Sequence, residues 1–348
     1  MNKIRVFDFF SGCGGTSQGF KQAGFDIVFG LDFDQDAACS FKLNFPNAEF
    51  INADIRTLES EVIESLFNEN DSSLTLFSGC APCQPYSRQN SNKKDDDPRL
   101  DLLNEFSRFV KHYLPDFVFI ENVPGMQKFN ENEGTFKSFI HMLSDHGYNV
   151  DFRVLPAAWF GVPQTRERLV LLASKHHKVV LPAQTHGLKN SPYSTVREWI
   201  GALPPISAGE THPTVPDHVS ARLSEINLQR IKATVEGGGR ESWPDHLILE
   251  CHRKHKGHSD VYGRLYWDKL ASGLTTRCIS YSNGRFGHPE QNRAISIREA
   301  ACLQTFPLDY VFSGSLNSKA KQIGNAVPPK MAEVIGHQIL HIINRRPL

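Results

Sequence analysis

Over its first half the chain alternates between short, largely apolar runs and polar breaks that carry glycine. Ile4 to Phe10, Ile27 to Leu31, Leu74 to Phe77, Phe117 to Ile120, Val150 to Leu155 and Leu169 to Ala173 have the apolar content of buried strands. Between them, Thr16 to Ala23, Asp34 to Phe45, Glu59 to Phe67, Leu102 to Tyr113 and Phe136 to His146 are expected helices. In the fourth of these, apolar residues at 102, 103, 106, 109, 110 and 113 share one helical face. Strand, glycine turn (Gly12, Gly14, Gly15) and helix at the start is the first unit of a nucleotide-binding α/β sheet. After Leu181 proline, glycine, serine and histidine become frequent, and periodicity fades until about Asn292. That stretch predicts a second, smaller domain of loops and short strands. A helix is expected over 297–304. Gln322 to Pro329 reads as a loop before an amphipathic helix, with Met331, Val334, Ile335, Ile339, Leu340 and Ile343 on one face. That face needs an apolar surface, which the first domain would supply.

Composition narrows the class without naming a partner. The 348 residues are 22% charged and 40% hydrophobic, enough for one large core or two unequal domains. No apolar run reaches membrane-spanning length, and the opening MNKIRVFDFF lacks a signal peptide's apolar region and cleavage site. The seven cysteines are odd in number and sit in dissimilar contexts, which predicts reduced thiols in a cytoplasmic protein. Net charge is zero, but His218 to Arg293 holds twelve Lys/Arg against eight Asp/Glu, with six histidines. Such a region fits a local nucleic-acid face or an ordinary solvated surface.

The candidate chemistry collects at predicted strand ends. Cys83 follows the Leu74 strand, held between Pro82 and Gln84, where proline stiffens the backbone. It is placed for nucleophilic attack, or it is a small buried hydrophobe. Asp32 ends the second strand about twenty residues past the glycine turn, where a doubly wound fold puts a carboxylate on ribose hydroxyls. Asp54 and Ile55 follow a short third strand, and Glu121-Asn122-Val123 ends the strand expected beside that of Cys83. The polar run Gln89 to Asp97 suggests a surface lid. Cys251, His252, His255 and His258, like the pair Cys80 and Cys83, have partial zinc-site spacing. Without a second half-site the cluster reads better as basic side chains of the local nucleic-acid face, and no metal is expected.

Taken in order, these residues resemble the cytosine-C5 DNA methyltransferases of prokaryotic type. Phe7 to Gly15 is similar to that family's first motif, Pro82-Cys83-Gln84 to its nucleophile motif, and Glu121-Asn122-Val123 to the motif of its active-site acid. Gln164-Thr165-Arg166-Glu167-Arg168 is similar to its Gln-x-Arg-x-Arg. Arg298 to Pro307 and Gly324-Asn325-Ala326-Val327 resemble its last two motifs. One departure is Asp32, where the family more often has glutamate. The resemblance implies a Rossmann-like S-adenosylmethionine-dependent domain with a mixed, mostly parallel sheet, over residues 1–181. It implies a target-recognition domain over 182–315 and a C-terminal segment, 316–348, returning to the first.

It further implies catalysis by Cys83, Glu121, Arg166 and Arg168. Cofactor contacts would come from Phe10, Gly12, Gly14, Gly15, Asp32, Phe33, Asp54, Ile55, Pro82, Leu102 and Asn325. Gln84, Ser87, Asn122, Val123 and Gln164 would serve the substrate. The implied reaction is methylation at C5 of a flipped-out cytosine in double-stranded DNA. It would be performed by a cytoplasmic, nucleoid-associated monomer, with or without a separate restriction endonuclease. Two rivals are a tRNA cytosine methyltransferase and a nicotinamide-dependent oxidoreductase. The first carries a Cys-Phe-Thr signature that this chain lacks, and the second leaves Cys83 and Glu121 without a shared purpose.

Overall fold

A computed structural model describes residues 3–67, 71–81, 102–125, 134–254 and 260–344. Pro82, Cys83, Gln84, Ser87 and the polar run to Asp97 lie outside these residues, as do His255 and His258. The chain divides into two compact units. The first gathers Met1–Pro156, Glu167–Ala183 and Val327–Leu348, and the second Ala157–Arg166 and Gln184–Ala326.

In chain order the strands are β1 (Ile4–Phe9), β2 (Asp26–Leu31), β3 (Glu49–Ile51), β4 (Leu74–Gly79), β5 (Phe117–Asn122), β6 (Asn149–Pro156), β7 (Gln164–Thr165), β8 (Glu167–Ser174) and β9 (Ala271–Ser272). The first unit holds a seven-stranded sheet in the order β3-β2-β1-β4-β5-β8-β6. β1 to β5 run parallel, while β8 lies antiparallel between β5 and β6. Strand order therefore reverses at β1, and the crevice beyond the carboxyl ends of β1 and β4 is where an open α/β sheet takes its ligand.

Helices α1 (Gly15–Gln22), α2 (Gln35–Asn44), α3 (Leu102–Tyr113) and α4 (Thr135–Asp145) connect these strands, and α10 (Pro329–Asn344) returns to them. Alternation along β1 sorts its side chains. Phe9 meets Phe106 and Phe109 of α3 at ring distances of 5.2 and 5.0 Å. Asp8, one residue earlier, turns to α1. The amphipathic α10 docks chiefly on α1. Two glycines allow that approach: a Cβ on Gly19 would overlap the Pro329 carbonyl, and one on Gly336 would come within 2.5 Å of the Ala23 Cβ.

The second unit is poor in regular structure among the described residues. It has the two-stranded β7-β9 pair and the helices α5 (Val196–Ile200), α6 (Glu225–Lys232), α7 (Glu250–Lys254), α8 (Ile297–Leu303) and α9 (Leu316–Asn325). Loop carbonyls without a strand ladder need other donors, and a guanidinium offers five in one fork. Arg264 donates to the carbonyls of Ile231, Thr234, His288 and Gln291, and Arg298 to those of Pro216, Pro307 and Tyr310. Three of the twelve basic residues counted between His218 and Arg293, namely Arg230, Arg264 and Arg293, are thus buried. The basic character of that region is partly interior scaffolding.

Two local expectations change. Glu59 to Phe67 is not an α-helix but a 3-10 segment over Ser60–Leu66, held by α3: Arg108 donates to the Leu58 carbonyl and Tyr113 to that of Ser60. Gln322 to Asn325 is not loop. It is the last turn of α9, which Ser315 caps and which needs a glycine because a Cβ on Gly324 would overlap the Thr275 carbonyl.

Candidate active site

The parallel strands of the first unit all end on one edge of its sheet, and antiparallel β8 begins there. Topology alone therefore brings together the tips of β1 to β5 and the start of β8. After β1 the chain turns sharply. Phe10 holds φ +58°, a region that a bulky side chain occupies only when its surroundings impose it. Gly12 (φ +54°) and Gly14 (φ +90°) complete the turn into α1. At Gly12 a Cβ would meet nothing within 4 Å among the described residues, so the turn borders open space on their side.

Asp32, at the tip of β2, is bound to this turn. Its Oδ2 accepts the Gly12 N–H at 2.8 Å and its Oδ1 the Asp34 N–H at 2.9 Å. These bonds orient the Asp32 carboxylate. Phe33 beside it is 68% exposed, a large apolar ring left open at the edge. Beyond β3, Asp54 is held by Arg56, whose Nε lies 3.0 Å from Oδ1, and that hydrogen bond keeps the carboxyl below the usual carboxylate range. Ile55 and Leu102 are buried in the core beneath this edge.

At the other end of the edge stands Glu121, the penultimate residue of β5. Arg168 of β8 is its diagonal cross-strand neighbour, since Glu121 faces Val170 in the register. Arg168 Nε is 2.8 Å from Glu121 Oε1, with the side chains 16% and 9% exposed. The contact is an ion pair, and Oε1 has no well-aligned hydrogen-bond donor among the described residues. Asn122 is buried and turned inward. Its Nδ2 donates to the Ala81 carbonyl at 3.1 Å and its Oδ1 accepts the Val123 N–H at 2.8 Å. Asn122, expected from sequence to serve the substrate, ties the β5 tip to the residue before Pro82.

Gln164 and Arg166 lie in the second unit and knit its loops. Gln164 Nε2 donates to the Leu303 carbonyl (2.9 Å) and to Gln304 Oε1 (2.6 Å), and its Oε1 accepts the Leu274 N–H (3.1 Å). Its amide thus already has partners on both sides within the protein. Arg166 donates to the carbonyls of Gly324 (3.0 Å) and Leu274 (3.3 Å). Asn325, at the end of α9, is exposed.

Two groups here are not among the expected site residues, Cys80 having been weighed only for zinc-type spacing. Cys80, close to Thr16 at 3.6 Å, is half-buried, and desolvation together with Glu121 and Asp8 raises its thiol well above the ordinary range, so it stays protonated. Asp8 is wholly buried on β1. Its Oδ2 accepts the Ser17 hydroxyl at 2.6 Å, but Oδ1 has no hydrogen-bond partner among the described residues. Burial pushes its pKa up to about 7. The only signal in the sequence was an acid inside the otherwise aromatic run Val6 to Phe10. An open glycine turn, an oriented ribose-type acid and an orphaned buried carboxyl oxygen fit a nucleoside cofactor that carries positive charge. Among the described residues no three His, Cys, Asp or Glu side chains gather as a metal site.

Comparison with known proteins agrees with this layout. The family model described as C-5 cytosine-specific DNA methylase matches residues 4–341. The chain is 42% identical to the Type II methylase M.HgiDII of Herpetosiphon aurantiacus over 340 residues, covering 96% of this chain and 94% of that one. It is 34% identical to the Type II methyltransferase M1.HphI of Haemophilus parahaemolyticus, covering 97% and 87%. Among solved structures, a DNA modification methyltransferase encoded within an E. coli prophage superposes with a TM-score of 0.76. That match covers 99% of this chain and 100% of the other, and at 24% identity it speaks to fold.

Proposed function

The chain belongs to the C-5 cytosine-specific DNA methylase family, and on that premise we propose that it methylates C5 of a cytosine in a short, specific duplex sequence through a covalent bond from Cys83. The observation that carries this reading is the Glu121–Arg168 pair at the strand edge, beside the Asn122 tie to Ala81 at the root of the Cys83 segment. C5 of cytosine is a weak nucleophile. Addition of the Cys83 thiolate at C6 moves an electron pair toward C5, and Glu121 offsets the charge by donating a proton at N3. Arg168 keeps the Glu121 carboxyl aimed, and its planar fork is suited to the neighbouring base carbonyl. Once C5 carries the methyl group, loss of the C5 proton to water expels the Cys83 thiolate, and the N3 proton returns to Glu121. A stacked cytosine hides C6, so the base must be flipped out of the duplex.

S-adenosylmethionine, when bound, supplies the activated methyl group. The glycine turn and Phe10 would hold its amino-acid and adenine parts, and Asp32 its ribose. Asp54 is the proposed acceptor for the adenine amine, with Arg56 the group it would have to share. Gln164 and Arg166 act at one remove, by fixing the loops of a unit proposed to read the DNA sequence. The chain is proposed to work as a cytoplasmic monomer on nucleoid DNA, as the modification partner of a restriction enzyme or alone.

The test is transfer of labelled methyl groups to mixed-sequence duplex DNA and, separately, to tRNA, with wild type and Cys83→Ser and with mapping of the modified positions. Label at C5 of cytosine within one DNA motif, absent in the variant, is the expected result. Label in tRNA alone would refute the DNA reading.

A further inference from the structure

We propose that Asp8 selects cofactor from spent cofactor by charge: its buried carboxylate favours the sulfonium cation of S-adenosylmethionine over the neutral thioether of S-adenosylhomocysteine. The inference rests on the cofactor reading above. The two ligands share adenine, ribose and amino-acid tail, so hydrogen bonds to those parts discriminate poorly between them. What differs is the methyl group and the positive charge it gives to sulfur, and the field of the protein senses that charge.

That field is one-sided. Asp8 sits on β1, two residues before Phe10 and four before Gly12, with no exposure to solvent. Ser17 of α1 donates to Oδ2, the Ser78 side chain opposite on β4 also favours the charged carboxyl, and Oδ1 has no well-aligned hydrogen-bond partner among the described residues. The titratable groups around it are Asp32 beyond β2, Cys13 in the turn and Cys80 beyond β4, with Glu121 past Cys80. These are acids or thiols. No ion pair to Asp8 exists among the described residues. A buried anion without a counter-charge is costly, and it stays partly protonated until a cation comes near. The pKa near 7 reflects that state.

Linkage gives the measurable consequence. A cation that lowers the Asp8 pKa by about one unit must bind about tenfold more tightly to the ionised than to the protonated protein. Affinity for S-adenosylmethionine should therefore fall as pH drops through about 7, while that for S-adenosylhomocysteine should not follow.

Calorimetric titration of the full chain with each ligand, at about pH 6 and about pH 8, tests this in wild type and Asp8→Asn. Asparagine keeps the shape and the acceptor for Ser17, and the comparison of proteins cancels titration of the ligands' own amino groups. The expected result is a preference for S-adenosylmethionine that grows about fivefold or more with pH in wild type and changes less than about twofold in the variant. Preferences that move together in both proteins overturn the inference, as do equal losses for both ligands. If circular dichroism shows the variant unfolded, wild type decides alone. Titration in two buffers of different ionisation enthalpy should then show more proton release with S-adenosylmethionine, and equal release overturns the proposal. Failure of wild type to bind either ligand would overturn the cofactor reading itself, and this inference with it.

Discussion

The buried pair Arg293–Glu299 allows a worked prediction about the second unit. Arg293 Nη1 is 2.6 Å from Glu299 Oε2 and Nη2 is 2.7 Å from Oε1, with the side chains 0% and 1% exposed. Glu299 also accepts the Ser296 N–H at 2.7 Å, closing a capping box on α8. Replacing Glu299 by alanine leaves a guanidinium buried without its counter-ion, a loss of about 3–5 kcal/mol. The missing cap adds about 1 kcal/mol. At about 2–4 °C per kcal/mol for a cooperative unit of this size, the melting transition of that unit should fall by about 10 °C or more.

Burial alone would raise the Glu299 carboxyl, but the Arg293 grip outweighs it and holds the carboxyl below the usual range. The pair's contribution is therefore present above the unfolded carboxylate pKa of about 4.3 and lost as pH falls through the lower folded value. Thermal and urea unfolding of Glu299→Ala, Arg293→Met and the double variant, at neutral pH and in acid, forms the assay. Each single change should cost more than half of what the double costs, because each strands a charge that the double removes. Single losses below about 1 kcal/mol, or a double that equals their sum, would refute the reasoning.

Four further outcomes follow from the first unit. Glu121→Gln should lower kcat by about 10²–10⁴ with little change in cofactor affinity, read by single-turnover methyl transfer and equilibrium binding. Arg168→Lys keeps the charge but loses the fork, and a rate within about threefold of wild type would show the planar geometry to be unimportant. Asn122→Ala frees the Ala81 carbonyl, and should cost about 1–3 kcal/mol of stability and reduce kcat while the cofactor dissociation constant stays unchanged. Gly19→Ala drives a methyl into the Pro329 carbonyl, and should separate α10 from α1 and cost about 1–3 kcal/mol in urea unfolding.

Much of the site was legible before any coordinates. The glycine turn declared itself because only glycine tolerates the positive φ at residues 12 and 14, and Asp32 because strand and helix lengths fix its distance from that turn. Glu121 was found because strand ends of a parallel sheet share one edge. The internal partners of Asn122 and Gln164 were not legible, since a polar side chain in a motif looks the same whether its partner is ligand or backbone. Asp8 was passed over because an acid within Val6 to Phe10 carries no local mark of its solvent exposure. Gln322 to Asn325 was mistaken for loop because glycine and the following prolines outweigh helical spacing in a local reading, whereas the approach of Thr275 decides in favour of the helix.

By itself the sequence determined the strands, most helices, their order and the residues at their ends, because periodicity and backbone preference act between near neighbours. Tertiary structure alone decided partners. Gln164 meets Gln304 across 140 residues, Asn122 reaches Ala81 across 41, and Arg264 collects carbonyls from loops that share no pattern. A buried donor takes whichever acceptor chain closure brings within reach, and that choice has no local code.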